Sequence, residues 1–137
     1  MQKKLVGLAL AFVILVASVS AFAQILPPIS PYYTDTSLIG AGLSIENGVA
    51  KCDGFVTPNS STKIATVSVR LQRLVNGRWS QLASWSETAS AGSTAVAGGN
   101  KSISKGYSYR VMVYGTVKDA NGNVLERTSC ASNTKQY

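Results

Sequence analysis

The 137-residue chain contains no histidine, only two cysteines and only six carboxylates, and each shortage removes a class of chemistry. Without histidine the commonest general base is missing. The acids Asp35, Glu46, Asp53, Glu87, Asp119 and Glu126 show no paired arrangement of the kind a glycosidase uses. Two thiols and no imidazole are too few for a zinc centre, since no carboxylates complete a ligand pattern around them. Beyond residue 23 no apolar run is long enough to span a bilayer, and no segment carries the apolar period of an amphipathic helix. These absences lead to the expectation of a chain that is not an enzyme, with no cofactor, no metal and no membrane span in its mature part.

What is present starts with an address. Lys3 and Lys4 form a basic n-region, Leu5 to Val19 is apolar, and Ala21-Phe22-Ala23 places small residues for cleavage before Gln24. Residues 1–23 are therefore expected to be a secretory signal peptide, and the protein to be secreted. No cysteine follows the apolar run, so a lipoprotein anchor is not expected. The remaining 114 residues suit one domain.

Removing Lys3 and Lys4 from the 13 Lys and Arg leaves 11 against six acids, a formal charge of +5 in place of +7. An exported basic chain can meet cell-wall polymers, lipid headgroups or acidic glycans. In the linear sequence the charges are scattered, which equally fits a role in solubility. Nothing has the interleaved basic and aromatic pattern of a nucleic-acid footprint, so no nucleic acid is expected as partner. Cys52 and Cys130 both fall in the mature part, and in an oxidising compartment such a pair is expected to form one disulfide.

Residues 24–37 hold Pro27, Pro28 and Pro31, which exclude a helix or a central strand, so the segment is expected to be an extended lead-in. The domain proper is expected over residues 38–137. Short β-type segments follow, at 43–45, 49–56, 64–74, 78–86, a weak one near 94–97, then 107–117 and 124–130. The cleanest is 64–74, where Val67, Val69 and Leu71 alternate with Ser68, Arg70 and Gln72. Asn76-Gly77 is the strongest hairpin signal, because a type I′ turn needs positive φ at both positions. About seven strands at intervals of 8–12 residues, with no helix, predict an all-β sandwich.

The run Lys105-Gly106-Tyr107-Ser108-Tyr109-Arg110-Val111-Met112-Val113 resembles the corner and strand that precede the last hairpin of immunoglobulin and fibronectin-III-like domains. The resemblance places Tyr109 as the corner tyrosine, with its hydroxyl capping backbone upstream. It departs from those domains in lacking a tryptophan on the second or third strand and in the spacing of its cysteines. Ser44 to Cys52, Leu71 to Trp79 and Gly106 to Val111 together are similar to small exported proteins of Gram-positive bacteria, a group with no established activity. That likeness implies a fold and no active site.

Two Ser-x-x-Lys matches, Ser60 to Lys63 and Ser102 to Lys105, lie in Ser-rich loops rather than at a helix start, so no acylating serine is expected. Asp119, Asn121, Asn123 and Glu126 superficially resemble a calcium loop, but Gly122 and Glu126 come too early in the pattern.

The remaining candidate site comes from strand register. A two-residue turn at Asn76-Gly77 pairs Leu74 with Trp79, Gln72 with Gln81 and Leu71 with Leu82. Directly paired residues share a face. On this reading Trp79 and Trp85 fall opposite the core, with Arg70 and Gln72. A neighbouring 107–117 strand adds Arg110, Met112 and Tyr114. A one-residue slip, such as a bulge in the hairpin, would exchange the faces. The functional expectation is an exported binding module that contacts cell-wall polymer, glycan or protein through this face. The alternative is a structural envelope or matrix component retained by charge, without a specific ligand.

Overall fold

Apolar residues at every second position build two sheets, and the pattern is clearest in residues 64–71. There Ala65, Val67, Val69 and Leu71 are fully buried while Thr66, Ser68 and Arg70 are not. The computed structural model describes residues 32–137, so the expected signal peptide at 1–23 and most of the lead-in lie outside the described residues. Among the described residues all regular structure is strand. The order is β1 Thr36–Glu46, β2 Val49–Pro58, β3 Ile64–Val75, β4 Arg78–Thr88, β5 Ala95–Ser102, β6 Ser108–Lys118, β7 Val124–Ala131 and β8 Lys135–Gln136. Two antiparallel sheets, β1-β2-β5 and β4-β3-β6-β7, stack as a sandwich, with β8 paired to β6.

Both tight hairpins are set by Asn-Gly pairs. Asn47 and Gly48 have φ of 49° and 75°, and Asn76 and Gly77 have 51° and 75°, which is the type I′ geometry that suits strand twist. Between the sheets lie Leu43, Ala50, Val56 and Ala95 from one side and Val67, Val69, Leu71, Val111, Val113 and Val117 from the other. Gly54 on β2 sits where a Cβ would crowd Val113 and come within 2.9 Å of Val69 Cγ2, so the sheets approach closely there.

Tyr109 is fully buried, and its hydroxyl donates to Ser104 O at 2.6 Å and accepts from Ser104 N at 3.2 Å. The expected tyrosine corner is therefore formed. At the opposite end a polar clasp ties the chain entering β1 to both sheets. Glu126 of β7 accepts from the amides of Thr34 and Asp35 at 2.9 and 3.0 Å. Lys63 donates to Asp35 Oδ1 at 2.7 Å and to Asn59 Oδ1 at 2.9 Å. Tyr33 leans on β7, with its hydroxyl donating to Ser129 O at 3.2 Å.

Three expectations need correction. The first strand is 11 residues long rather than three, and it opens at Thr36, inside the segment read as lead-in. Its glycines disguised it, yet Phe55 and Asp53 of β2 lie across Gly40 and Gly42, where an added Cβ would require those side chains to shift. After β7, Ser132 bridges to Val111 through both N–H and Oγ, and β8 then returns beside β6. The hairpin register shifts within β4, as set out below.

The third correction is the disulfide, because Cys52 and Cys130 are separate free thiols. Cys52 lies on the central strand of the three-stranded sheet, between Leu43 and Gly99. Cys130 lies on the outermost long strand of the other sheet, paired with Val113. That strand packs across the sandwich on β1 rather than on β2. Burial raises both thiols above the ordinary range, Cys52 to about 11 with help from the neighbouring Asp53 charge.

Candidate functional site

The Asn76-Gly77 turn holds the first part of the hairpin as its geometry requires: Val75 pairs with Arg78, Leu74 with Trp79, and Gln72 with Gln81. The ladder then skips one residue. Leu71 pairs with Ala83 rather than Leu82, and Val69 pairs with Trp85. Leu82 is thus the extra residue of a β-bulge, and a bulge reverses the in–out parity of everything beyond it. Trp79, on the turn side, keeps the outer face. Trp85, beyond the bulge, turns inward, packs against the core and covers Gly99, where a Cβ would meet its indole. The expectation that both tryptophans share the outer face is corrected for Trp85.

The other six candidate residues do come together. Cross-strand pairs place Gln72 beside Arg110, Arg70 beside Met112 and Ser68 beside Tyr114, all opposite the core. Trp79 and Leu74 extend the face at one end, and Thr116, Arg127 and Lys118 at the other. Two guanidinium–ring stacks organise it. Arg110 lies 4.2 Å from the Trp79 ring centroid and Arg70 lies 4.6 Å from that of Tyr114. Such stacking contributes about 0.5–1 kcal/mol at exposed sites. Arg110 Nε donates to Gln72 Oε1 at 2.8 Å, which fixes the plane of the guanidinium.

The scattered charge of the linear sequence is sorted by the fold. All five arginines of the chain lie on strands of this one sheet: Arg70 and Arg73 on β3, Arg78 on β4, Arg110 on β6 and Arg127 on β7. Ion pairs among the described residues are Lys51–Glu46 and Lys63–Asp35, neither of which involves an arginine. Arg73 turns to the opposite side and stacks on Tyr107 at 4.4 Å. No carboxylate occupies an outward position on β3, β4, β6 or β7. Arg127 and Lys118 were missed at the sequence level. Lys118 follows on β6 with the parity of Arg110, one residue beyond the strand end expected at 117, whereas Arg127 needs the β6–β7 register, which no tight Asn-Gly turn sets.

The motifs set aside on sequence grounds have structural uses. Lys63 is held by Asp35 and Asn59, and Ser60 Oγ bonds Thr62. Asp119 accepts from the amides of Asn121 and Asn123 and from Asn123 Nδ2, which caps the β6–β7 turn and lowers its pKa. Glu126 points away to the clasp. A cleft of about 460 Å³ opens between the edges of β4 and β5, lined by Cys52, Asp53, Trp85, Glu87, Val96 and Gly98. No protein-family model and no curated protein matches this chain.

Proposed function

We propose that the protein is an exported, non-enzymatic binding module of the immunoglobulin/fibronectin-III-like class, docking its partner on the outer face of the β4-β3-β6-β7 sheet. The class is supported by the tyrosine corner at Tyr109 and by the adjacency of the third and sixth strands. The observation that carries the site is the stacked Arg–aromatic face with no acid on it. Arginine and large aromatics supply much of the energy at binding hot spots.

The test is saturable binding of the exported protein to a purified cell-envelope fraction, compared between wild type and Trp79→Ala. Binding should fall at least about tenfold in the variant, with unchanged melting and far-UV circular dichroism. Normal binding by folded Trp79→Ala would refute the site. Association that never saturates and is lost only with salt would instead favour an envelope component held by charge.

A further inference from the structure

We infer that the partner of this face is an anionic polysaccharide, a linear sugar polymer bearing carboxylate or sulfate groups. The inference rests on the binding-module reading and names the ligand of that same site.

Charge complementarity points to the sign. Arg70, Arg110, Arg127 and Lys118 share the outer face, while the acids that belong to strands lie elsewhere. Glu46 and Asp53 are on the other sheet, and Glu87 and Glu126 have inward parity opposite Val67 and Val117. The guanidinium groups are also presented in a particular way. Each guanidinium carbon lies over a ring, and among the described residues the one hydrogen bond these two groups make is from Arg110 Nε to Gln72. A guanidinium fixed in plane loses little entropy when it forks onto a planar carboxylate or a sulfate.

Shape and surroundings favour a polysaccharide over the other polyanions. From Arg110 to Lys118 is eight residues along β6, about 27 Å at the usual strand rise. The face is the open side of a sheet crossed by long strands, which suits an extended chain better than a small molecule that needs a concavity. A protein partner would want an apolar centre inside a polar rim. Here Tyr114 and Met112, in the middle of the track, are interleaved with Arg70, Ser68, Ser129, Thr66 and Thr116 and flanked by the Gln72–Gln81 pair, so the centre is mixed rather than apolar. Hydroxyls and amides in that density match the hydroxyls of sugars.

The experiment is binding of the exported protein to polygalacturonate, dextran sulfate, neutral dextran and poly-glutamate at matched charge, each in low and high salt. Binding to polygalacturonate or dextran sulfate should exceed that to poly-glutamate by about tenfold, with dextran unbound; the preferred one of the two says whether carboxylate or sulfate is read. Arg110→Gln and Arg70→Gln should each weaken it several-fold without a change in melting. Arg110→Lys, which keeps the charge but not the fork, should restore only part. Equal binding of poly-glutamate would overturn the inference in favour of an acidic protein or bulk charge, and so would equal binding of dextran or an unaffected Arg variant. If no polyanion binds while envelope binding still needs Trp79, the ligand class is wrong and the binding-module reading stands. If envelope binding is indifferent to Trp79 as well, both fall.

Discussion

Tyr109→Phe removes one oxygen from the fully buried end of the core and leaves the ring in place. The oxygen makes a short donated bond to Ser104 O at 2.6 Å and a longer accepted bond from Ser104 N at 3.2 Å. A net hydrogen bond contributes about 1 kcal/mol, and a partner left dry costs more. Ser104 itself is exposed, so water can reach its backbone and limits the second penalty. The expected loss is about 1.5 kcal/mol. With a urea m-value of about 1.5 kcal/mol/M, the midpoint should fall by about 1 M, and the melting temperature by about 8 °C for a domain of this size. Tyr107→Phe is the matched control, since that ring is more than one-third exposed and its hydroxyl makes no bond among the described residues. It should change stability by less than about 0.5 kcal/mol. An unchanged midpoint for Tyr109→Phe, or an equal drop in both variants, would refute the corner as a source of stability.

Gly54→Ala should destabilise by about 1–3 kcal/mol in the same assay, because its Cβ would press on Val113 and Val69 in a packed core. Stability should also fall in acid. Hydrogen bonds from Lys63, Lys51 and Asn123 lower the carboxyls of Asp35, Glu46 and Asp119, while at Glu126 burial raises the carboxyl and the Thr34 amide, the Thr36 side chain and the Asp35 amide together bring it below its ordinary value. Folded values below the unfolded ones mean that the contribution is present above about pH 4.5 and disappears as pH falls through them, so the urea midpoint at pH 2.5 should lie below that at pH 6. Lys63→Met should shrink the difference. In alkali the sign reverses: Cys52, raised to about 11 in the fold, holds its proton while the unfolded thiol loses it from about pH 8.5. Stability should therefore decline from there toward pH 11 by at most about 3 kcal/mol, and Cys52→Ala should flatten that limb.

Legibility in the sequence tracks how local the cause is. The strand at 64–75, the Asn76-Gly77 turn and the Tyr109 corner depend on neighbours within a few positions, and each stands where its residues point. The start of β1 does not, because Gly40 and Gly42 lie beneath the Phe55 and Asp53 side chains of the next strand. Gly98 and Gly99 likewise answer to the Cys52 carbonyl and the Trp85 indole across the fold. The bulge at Leu82 is the costliest miss for the site. Gln81-Leu82-Ala83 contains no glycine or proline to announce it. What the bulge achieves is tertiary: Trp85 comes to lie beside Val69, where its apolar surface is partly buried.

The candidate face survives this miss because most of it never depended on β4. Arg70 stands between Val69 and Leu71, and Arg110 between Tyr109 and Val111, all four of them fully buried. Strand geometry then sends the two arginines outward without any choice of hairpin register. Trp79 lies on the turn side of the bulge, where the Asn-Gly pair still dictates pairing. Arg127 has no such guarantee from sequence, since its neighbours Glu126 and Thr128 are polar, although Thr128 is buried. The acids follow the complementary logic. Glu126 is drawn inward to the amides of Thr34 and Asp35, Asp119 is consumed by its own turn, and Asp35 is occupied by Lys63. A positive face is thus left over once the valines are buried and the carboxylates have capped the backbone. Its counter-charge must come from outside the domain, which is the physical ground for seeking an anionic partner there.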